Sequence, residues 1–373
     1  MDVELPSTPF VDLGCTVLKN AWFPLARTRL IKHGKPISRM LDSTPIVLWR
    51  DDRGAVHAME DRCAHRRAAL SGGKVVDGTL QCPYHGWQYD TAGRCVNIPS
   101  LGKEGRISAH FCVDSYPVAL RYGWAWVWWG NPVDADEAYI PDIPFLDPTK
   151  DAPGGRLTRF SYKAPQELVV ENLLDLTHLD FVHGSIFGDP FGAGEEQILV
   201  DHTDEVITMT RISDQRLPPK SQAFLTKGKR QDIHQTMQIH VRSGVAIGVA
   251  WSTPPGWGIC LFLPNVPATP DRTYQEGLLK LIGPEWYGKY VMPWASRIVT
   301  LQDAAIFRKQ VPNYRRLDDP RADKSVPADA PGLRYRSMRR ALIERQQRGD
   351  FSYSPGWHGP DPATVHKVDR AGG

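Results

Sequence analysis

The chain has 373 residues, 41% of them hydrophobic and 23% charged, a balance that suits two ordinary globular domains rather than a disordered or fibrous chain. Its 45 basic and 42 acidic residues leave a net charge of +3, too even to mark a nucleic-acid binder on that ground. No apolar run approaches the roughly 18 residues of a membrane span, and the opening MDVELPSTPF lacks the basic-then-apolar form of a signal peptide, so a cytoplasmic location is expected.

From Trp22 to about Trp129 the pattern is short strands between turn residues. Ile46–Trp49 and Ala55–Met59 flank the turn Asp51-Asp52-Arg53-Gly54 and predict a hairpin. WQYDTAGRCVNI predicts a second, bending at Ala92-Gly93. In RYGWAWVWWG simple alternation puts Tyr122, Trp124, Trp126 and Trp128 on one face of a strand, which reads as sheet packing.

A proline-rich connector follows, with Pro132, Pro141, Pro144, Pro148 and Pro153. PQELVVENLLDLTHLDFV at 165–182 then predicts a helix whose first turn holds a proline. Residues 194–282 read mainly as strands, broken by loops that contain Pro-Pro or Pro-Gly. A second helical region covers about 285–310. A final helix is expected at 333–349, with Tyr335, Met338 and Leu342 along one side and arginines elsewhere; the tail after Asp350 has no clear pattern.

The six cysteines, at 15, 63, 82, 95, 112 and 260, are too few and too scattered for a disulfide scaffold. Two of them come paired with histidines, as Cys63-x-His65 and Cys82-x-x-His85, on loops of the hairpin-rich region. Cys15, Cys95, Cys112 and Cys260 read as ordinary thiols. Structural zinc accepts the same donors, although it more often pairs cysteine with cysteine at a spacing of two to four residues. A two-iron cluster uses the pattern differently: each loop gives one ligand to each iron, and imidazole in place of thiolate raises the reduction potential.

The second cluster of chemistry-bearing residues is ENLLDLTHLDFVHG. On a regular helix Asn172, Asp175 and His178 fall three apart and line one side. His183 lies five beyond His178, which turns it about 140° around the axis. The two histidines share a metal only if the helix ends or distorts between them, and Gly184 suits a terminus.

CAHRRAAL and CPYHGWQYD resemble the ligand loops of a Rieske [2Fe–2S] protein, with similar flanks in NAWFPLA at 20–26 and RCVNIPS at 94–100. Asp175-x-x-His178-x-x-x-x-His183 resembles the mononuclear iron motif of the Rieske non-haem iron oxygenases, and the length resembles the vanillate O-demethylase and dicamba monooxygenase type of alpha subunit. The resemblance implies an α+β fold: an all-β Rieske domain at 15–135, a linker at 136–155, and a catalytic domain at 156–350. That second domain would be an antiparallel sheet flanked by helices, of helix-grip type, before a tail at 351–373. It further implies Cys63 and Cys82 on one iron of the cluster, His65 and His85 on the other, and a mononuclear Fe(II) held by His178, His183 and a late carboxylate.

TLQDAAIFRKQ at 300–310 resembles the late helix of the family, with Asp303 at the ligand position and Gln310 also matching. Arg308 stands where relatives commonly have glutamate, and Glu285 and Asp271 are the alternative carboxylates. By the same resemblance Asp175 orients His178 and reaches His85 of a neighbouring copy in a head-to-tail trimer, while Asn172 sits near the iron. Electrons would come from NAD(P)H through a separate reductase or ferredoxin, since the chain carries no Gly-x-Gly-x-x-Gly motif. Arg66 and Arg67 either help to dock that partner or are plain surface charge.

The implied reaction is hydroxylation or O- or N-demethylation of a small aromatic or heterocycle with O2. Ring cis-dihydroxylation is a rival on the same iron, and an electron carrier with an inactive second domain is a rival of another class. The substrate pocket is expected along 233–263 and after His183, with Ile186, Phe187, Ile239 and Leu263; His240 is a candidate partner for a substrate carboxylate.

Overall fold

The computed structural model describes residues 16–102, 104–146, 156–187, 196–218, 226–315, 323–352, 357 and 359–360, which form two compact units. One is Lys19–Tyr139 with Val266–Thr269, and the other takes the remaining described residues. The division at Tyr139 falls inside the expected linker. Residues 147–155 of that linker, Cys15 and most of the expected tail lie outside the described residues. Among the described residues no helix is long and apolar enough to cross a membrane.

The first unit is built of three small antiparallel sheets. The expected hairpin forms from Thr44–Arg50 and Val56–Glu60. Its turn is tied by the Asp51 carboxylate, which accepts from the Arg53 and Ala55 amides at 3.0 and 2.8 Å. Trp124–Trp129 is the middle strand of a three-stranded sheet, between Ala21–Arg27 and Val118–Arg121. Trp124, Trp126 and Trp128 are buried, but so are Ala125 and Val127, so both faces of this strand are core. Tyr122 does not continue the stripe. With Gly123 it makes the turn into the strand, both at positive φ (56° and 80°), the geometry that a tight two-residue hairpin connection requires.

The second unit is a seven-stranded antiparallel sheet with helices. Arg156–Tyr162 lies at one edge, and the chain then crosses to the far edge. From there it returns as a meander through Glu196–His202, Val206–Arg216, Gln231–His240, Val245–Thr253, Trp257–Thr269 and Arg272–Ile282. The helices Gln166–Leu174 and Ala330–Gln347 bury Val170, Leu174, Tyr335, Met338 and Leu342 against Ile207, Met209 and Ile239 of the sheet. Each such side chain contributes roughly 1.5–3 kcal/mol by leaving water.

The helix Met292–Tyr314 packs Phe307 and Val311 on Tyr162 and Leu168. The last helix carries its expected apolar side, yet two of its arginines face inward: Arg336 grips Glu171 with two bonds of 2.7 Å, and buried Arg339 pairs with Glu167. Trp357, from the expected tail, stacks on His240 and donates to Gln238.

Candidate metal centres

Cys63 and Cys82 each head a loop that closes on itself. The Cys63 amide donates to the Ala68 carbonyl (2.9 Å) and the Arg67 amide returns to the Cys63 carbonyl (2.9 Å). In the other loop the Cys82 amide donates to Trp87 (2.7 Å) and Gly86 to Cys82 (3.2 Å). Gly86 sits at φ 73°, and a Cβ there would meet Pro99 at 3.0 Å.

Both thiols are 2% exposed, while His65 and His85 are exposed with their Nδ1 atoms 3.2 Å apart. The His65 ring stacks on Trp87 at 4.8 Å. Tyr89 Oη accepts from the Ala64 amide (3.0 Å), which leaves the phenol proton for Cys63 Sγ at 3.1 Å. Burial pushes the Tyr89 hydroxyl up, with Cys63 adding to it, so the phenol keeps that proton. Burial also pushes the Cys82 thiol up, and Cys63 beside it adds to the effect. Two buried thiols side by side ionise when a cation shares them, so sulfur within and nitrogen toward solvent fit an iron–sulfur cluster. Arg66 and Arg67 are both exposed.

The helix expected over 165–182 is broken. Its first part ends at Leu174, and Asp175 leaves the helix at φ −97°, ψ 97°. The Asp175 carboxylate then accepts from the Thr177 amide (2.9 Å) and hydroxyl (2.6 Å), and a new turn, Leu179–Val182, starts from His178 and ends at His183. The distortion therefore precedes His178. Gly184 opens the next short helix, Gly184–Phe187, instead of closing a long one.

Arg211 holds this break in place. It donates to the Leu176 carbonyl at 2.9 Å and pairs with Asp180 at 3.3 Å, and Arg216 pairs with the same carboxylate. Both arginines and Asp180 are buried. None of the three stood out in the sequence, where Asp180 looks like an ordinary polar position on a helix.

The result brings His178, His183 and Asp303 together, with one donor atom from each all within 4.8 Å of one another. Asp303 Oδ1 lies 3.0 Å from His183 Nε2 and 3.6 Å from His178 Nε2. His183 donates from Nδ1 to Gln302 Oε1 at 2.8 Å, and His178 donates from Nδ1 to the Asp175 carbonyl, so each ring turns Nε2 inward. Gln302 escaped the sequence reading; its one signal is its place beside Asp303.

Burial works against a charge on His183, but bonds to Asp303 and Gln302 outweigh it and hold the ring above the ordinary imidazole range. For His178 burial prevails over Asp303 and Asp175 and holds it below. Two imidazoles and one carboxylate with neighbouring faces open are the donor set of a non-haem Fe(II) site.

Asn172 Nδ2 is 3.3 Å from His178 Nε2 and 3.4 Å from Asp303 Oδ1. The Asp175 carboxylate is 44% exposed, and its Oδ2 stands 4.0 Å from His178 Nδ1, so the carbonyl rather than the carboxylate bonds that ring. The alternative carboxylates lie elsewhere: Glu285 is exposed, and Asp271 sits in a turn paired with Arg315. Arg308 is exposed on the long helix.

Two cavities meet at this site, sharing Asn172 and His178. One, of about 230 Å³, is lined by Leu173, Leu176, Ile259, Leu261 and Leu263 and reaches His183 and Asp303. The other, of about 410 Å³, is lined by Glu171, Asp175, Gln310, Tyr314, Asp323 and Arg336. Ile186 and Leu263 line the first as expected. Ile239 instead belongs to the core beneath the helices, and the Phe187 side chain lies outside the described residues. His240 is buried away from both cavities, with Nδ1 2.8 Å from Ser243 Oγ and Nε2 3.5 Å from Glu205, so it is no partner for a ligand there.

Two family models match the chain: the Rieske [2Fe-2S] domain over residues 21–117, and the vanillate O-demethylase oxygenase C-terminal domain over residues 162–345. The oxygenase component of dicamba O-demethylase from Stenotrophomonas maltophilia is 38% identical over 188 residues, 50% of this chain and 53% of that one. The vanillate O-demethylase oxygenase subunit of Pseudomonas sp. (strain HR199 / DSM 7063) is 38% identical over 170 residues, 46% of each. The chain thus matches about half the length of these relatives. Among solved structures, dicamba monooxygenase bound to 3,6-dichlorosalicylic acid superposes with a TM-score of 0.76 at 24% identity, over 90% of this chain and 99% of that one, a likeness of fold.

Proposed function

The chain belongs to the Rieske oxygenase alpha subunits, related to vanillate O-demethylase and dicamba monooxygenase, and on that premise we propose that it is the terminal oxygenase of a cytoplasmic multi-component system. It would take electrons from a separate NAD(P)H-dependent reductase or ferredoxin and use O2 to hydroxylate or demethylate a small aromatic or heterocyclic substrate. The observation that carries this reading is the His178–His183–Asp303 site at the end of a largely apolar cavity.

Cys63 and Cys82 would hold one iron of the cluster, His65 and His85 the other, and His178, His183 and Asp303 the mononuclear iron. When bound, these groups supply single electrons and oxygen activation respectively. The protein's own part is positional. Tyr89 donates toward Cys63 Sγ, which favours the thiolate. Gln302 and the Asp175 carbonyl keep both imidazoles turned toward Asp303. The leucine-lined cavity keeps water from the substrate and holds it against the site.

Asp175 is the proposed receiving point for electrons. Its carboxylate is half exposed at the rim of the larger cavity, and His85 is exposed on its own unit. The reading is that the Asp175 of one copy meets the His85 of another in a head-to-tail homotrimer, a heterologous contact that closes into a ring.

Metal analysis and oxygen uptake test the proposal together. The purified protein should carry about three irons per chain, two in the cluster and one alone, and consume oxygen with a compatible reductase and an aromatic substrate. Two irons, with no uptake, would leave an electron carrier; zinc would remove the reading altogether. Asp175→Asn should keep every iron and lose turnover, and full activity in that variant would rule out the route between copies.

A further inference from the structure

We infer that the substrate of this site is an uncharged aromatic or heteroaromatic molecule bearing a carbonyl, amide or ring nitrogen, and not an aromatic carboxylate or sulfonate. This rests on the oxygenase reading above and concerns the 230 Å³ cavity beside His183 and Asp303.

An anion brought into a mostly apolar cavity loses its water and needs a cation in return. Among the described residues that line this cavity there is no arginine or lysine, and its histidines are the two beside Asp303. The buried arginines of the same unit are already engaged: Arg211 and Arg216 with Asp180 and Glu196, Arg242 with Glu205, Arg339 with Glu167. The charged side chain that does face the cavity, Asp303, is committed as a metal donor and offers an anion no partner. An anion seated on the metal position itself would occupy the faces that oxygen needs.

What the wall offers in place of charge is neutral hydrogen bonding. Gln235, half buried on the strand Gln231–His240, lines the cavity, and its amide has no hydrogen bond to any described residue. Thr158 Oγ1, on the edge strand, is buried without a hydrogen-bond partner among the described residues. Gln275 donates its amide to Asn265 Oδ1 at 2.8 Å. Gln235 and Thr158 therefore stand ready to pair with a carbonyl, an amide or a ring nitrogen. Leu173, Leu176, Val249, Ile259 and Leu261 close over an aromatic plane.

Anaerobic calorimetric titration of the iron-loaded protein with matched pairs tests this: methoxybenzamides against the corresponding methoxybenzoates, and N-methyl heteroaromatic lactams against their carboxylated analogues. The neutral member of each pair should bind at least about tenfold more tightly. Gln235→Arg should shift the preference toward the acid by a similar factor. Gln235→Leu should weaken the amide and leave the acid unchanged, which separates lost pairing from a damaged fold. Equal affinities, a preference for the acid, or no binding by any neutral compound overturns the inference. A protein that binds neutral ligands but never consumes oxygen leaves the inference standing and defeats the oxygenase reading. One that consumes oxygen and prefers acids does the reverse.

Discussion

In the Lys19–Tyr139 unit the four candidate ligand side chains sit on two loops that close through their own backbone hydrogen bonds, from Cys63 to Ala68 and from Cys82 to Trp87. The His178–His183–Asp303 site is instead assembled from a broken helix, two arginines of a sheet strand, and a helix whose Gln302 lies 119 residues beyond His183. The first arrangement survives as long as its loops do. The second depends on packing across the whole unit, and its geometry is set in part by Arg211 and Arg216, which bond Leu176 and Asp180 rather than a metal donor. The difference follows from the chemistry asked of each: a cluster that passes electrons needs fixed ligands near a surface, whereas a site that admits a substrate needs a cavity, and a cavity needs walls from several elements.

That contrast breaks first at Arg211. Arg211→Ala removes one partner of a buried ion pair and frees the Leu176 carbonyl, and about 3–5 kcal/mol of stability should go with it. Chemical denaturation should show the loss in the second unit, with the mononuclear iron released first and the visible spectrum of the cluster unchanged. If cluster and iron disappeared together, the two centres would not be independently held.

Gln302→Leu is a finer cut. The His183 ring loses its orienting bond, and iron affinity at that site should fall roughly 10- to 100-fold without a comparable change in thermal stability. Equilibrium dialysis against ferrous iron reads this directly, and an unchanged affinity would mean that packing alone orients His183. The smallest effect is expected from Tyr89→Phe. The cluster should assemble in full, but at a lower reduction potential because one hydrogen bond to a ligand sulfur is gone. Redox titration by electron paramagnetic resonance measures it, and an unmoved potential would remove Tyr89 from the account.

The same contrast governs how much was legible in the sequence. Cys63, His65, Cys82 and His85 lie in one local stretch between turn signals, so spacing alone marks them as candidate ligands. The two-unit α+β organisation was legible too, because strand alternation gives way to helical and then again to strand patterns. The histidine pair and Asp303 were visible as residues, but not their geometry. The reading of one helix over 165–182 failed because the Asp175–Thr177 turn and Arg211 break it, and the second cause sits on a distant strand.

Tyr122 was misplaced because a tyrosine at positive φ leaves no mark beside a row of tryptophans. Ile239 was placed in the cavity because alternation tells two faces apart without saying which face meets helices. Asp180 was passed over because nothing in a lone acid among helical residues predicts that two buried arginines will claim it.

The central claim is that two separately held metal centres work in series, and Asp303→Ala tests it most directly. Iron should fall from about three to about two per chain, with the cluster spectrum and its reduction by the partner reductase intact and oxygen uptake abolished. A variant that kept its third iron, or kept turning over without it, would contradict the account.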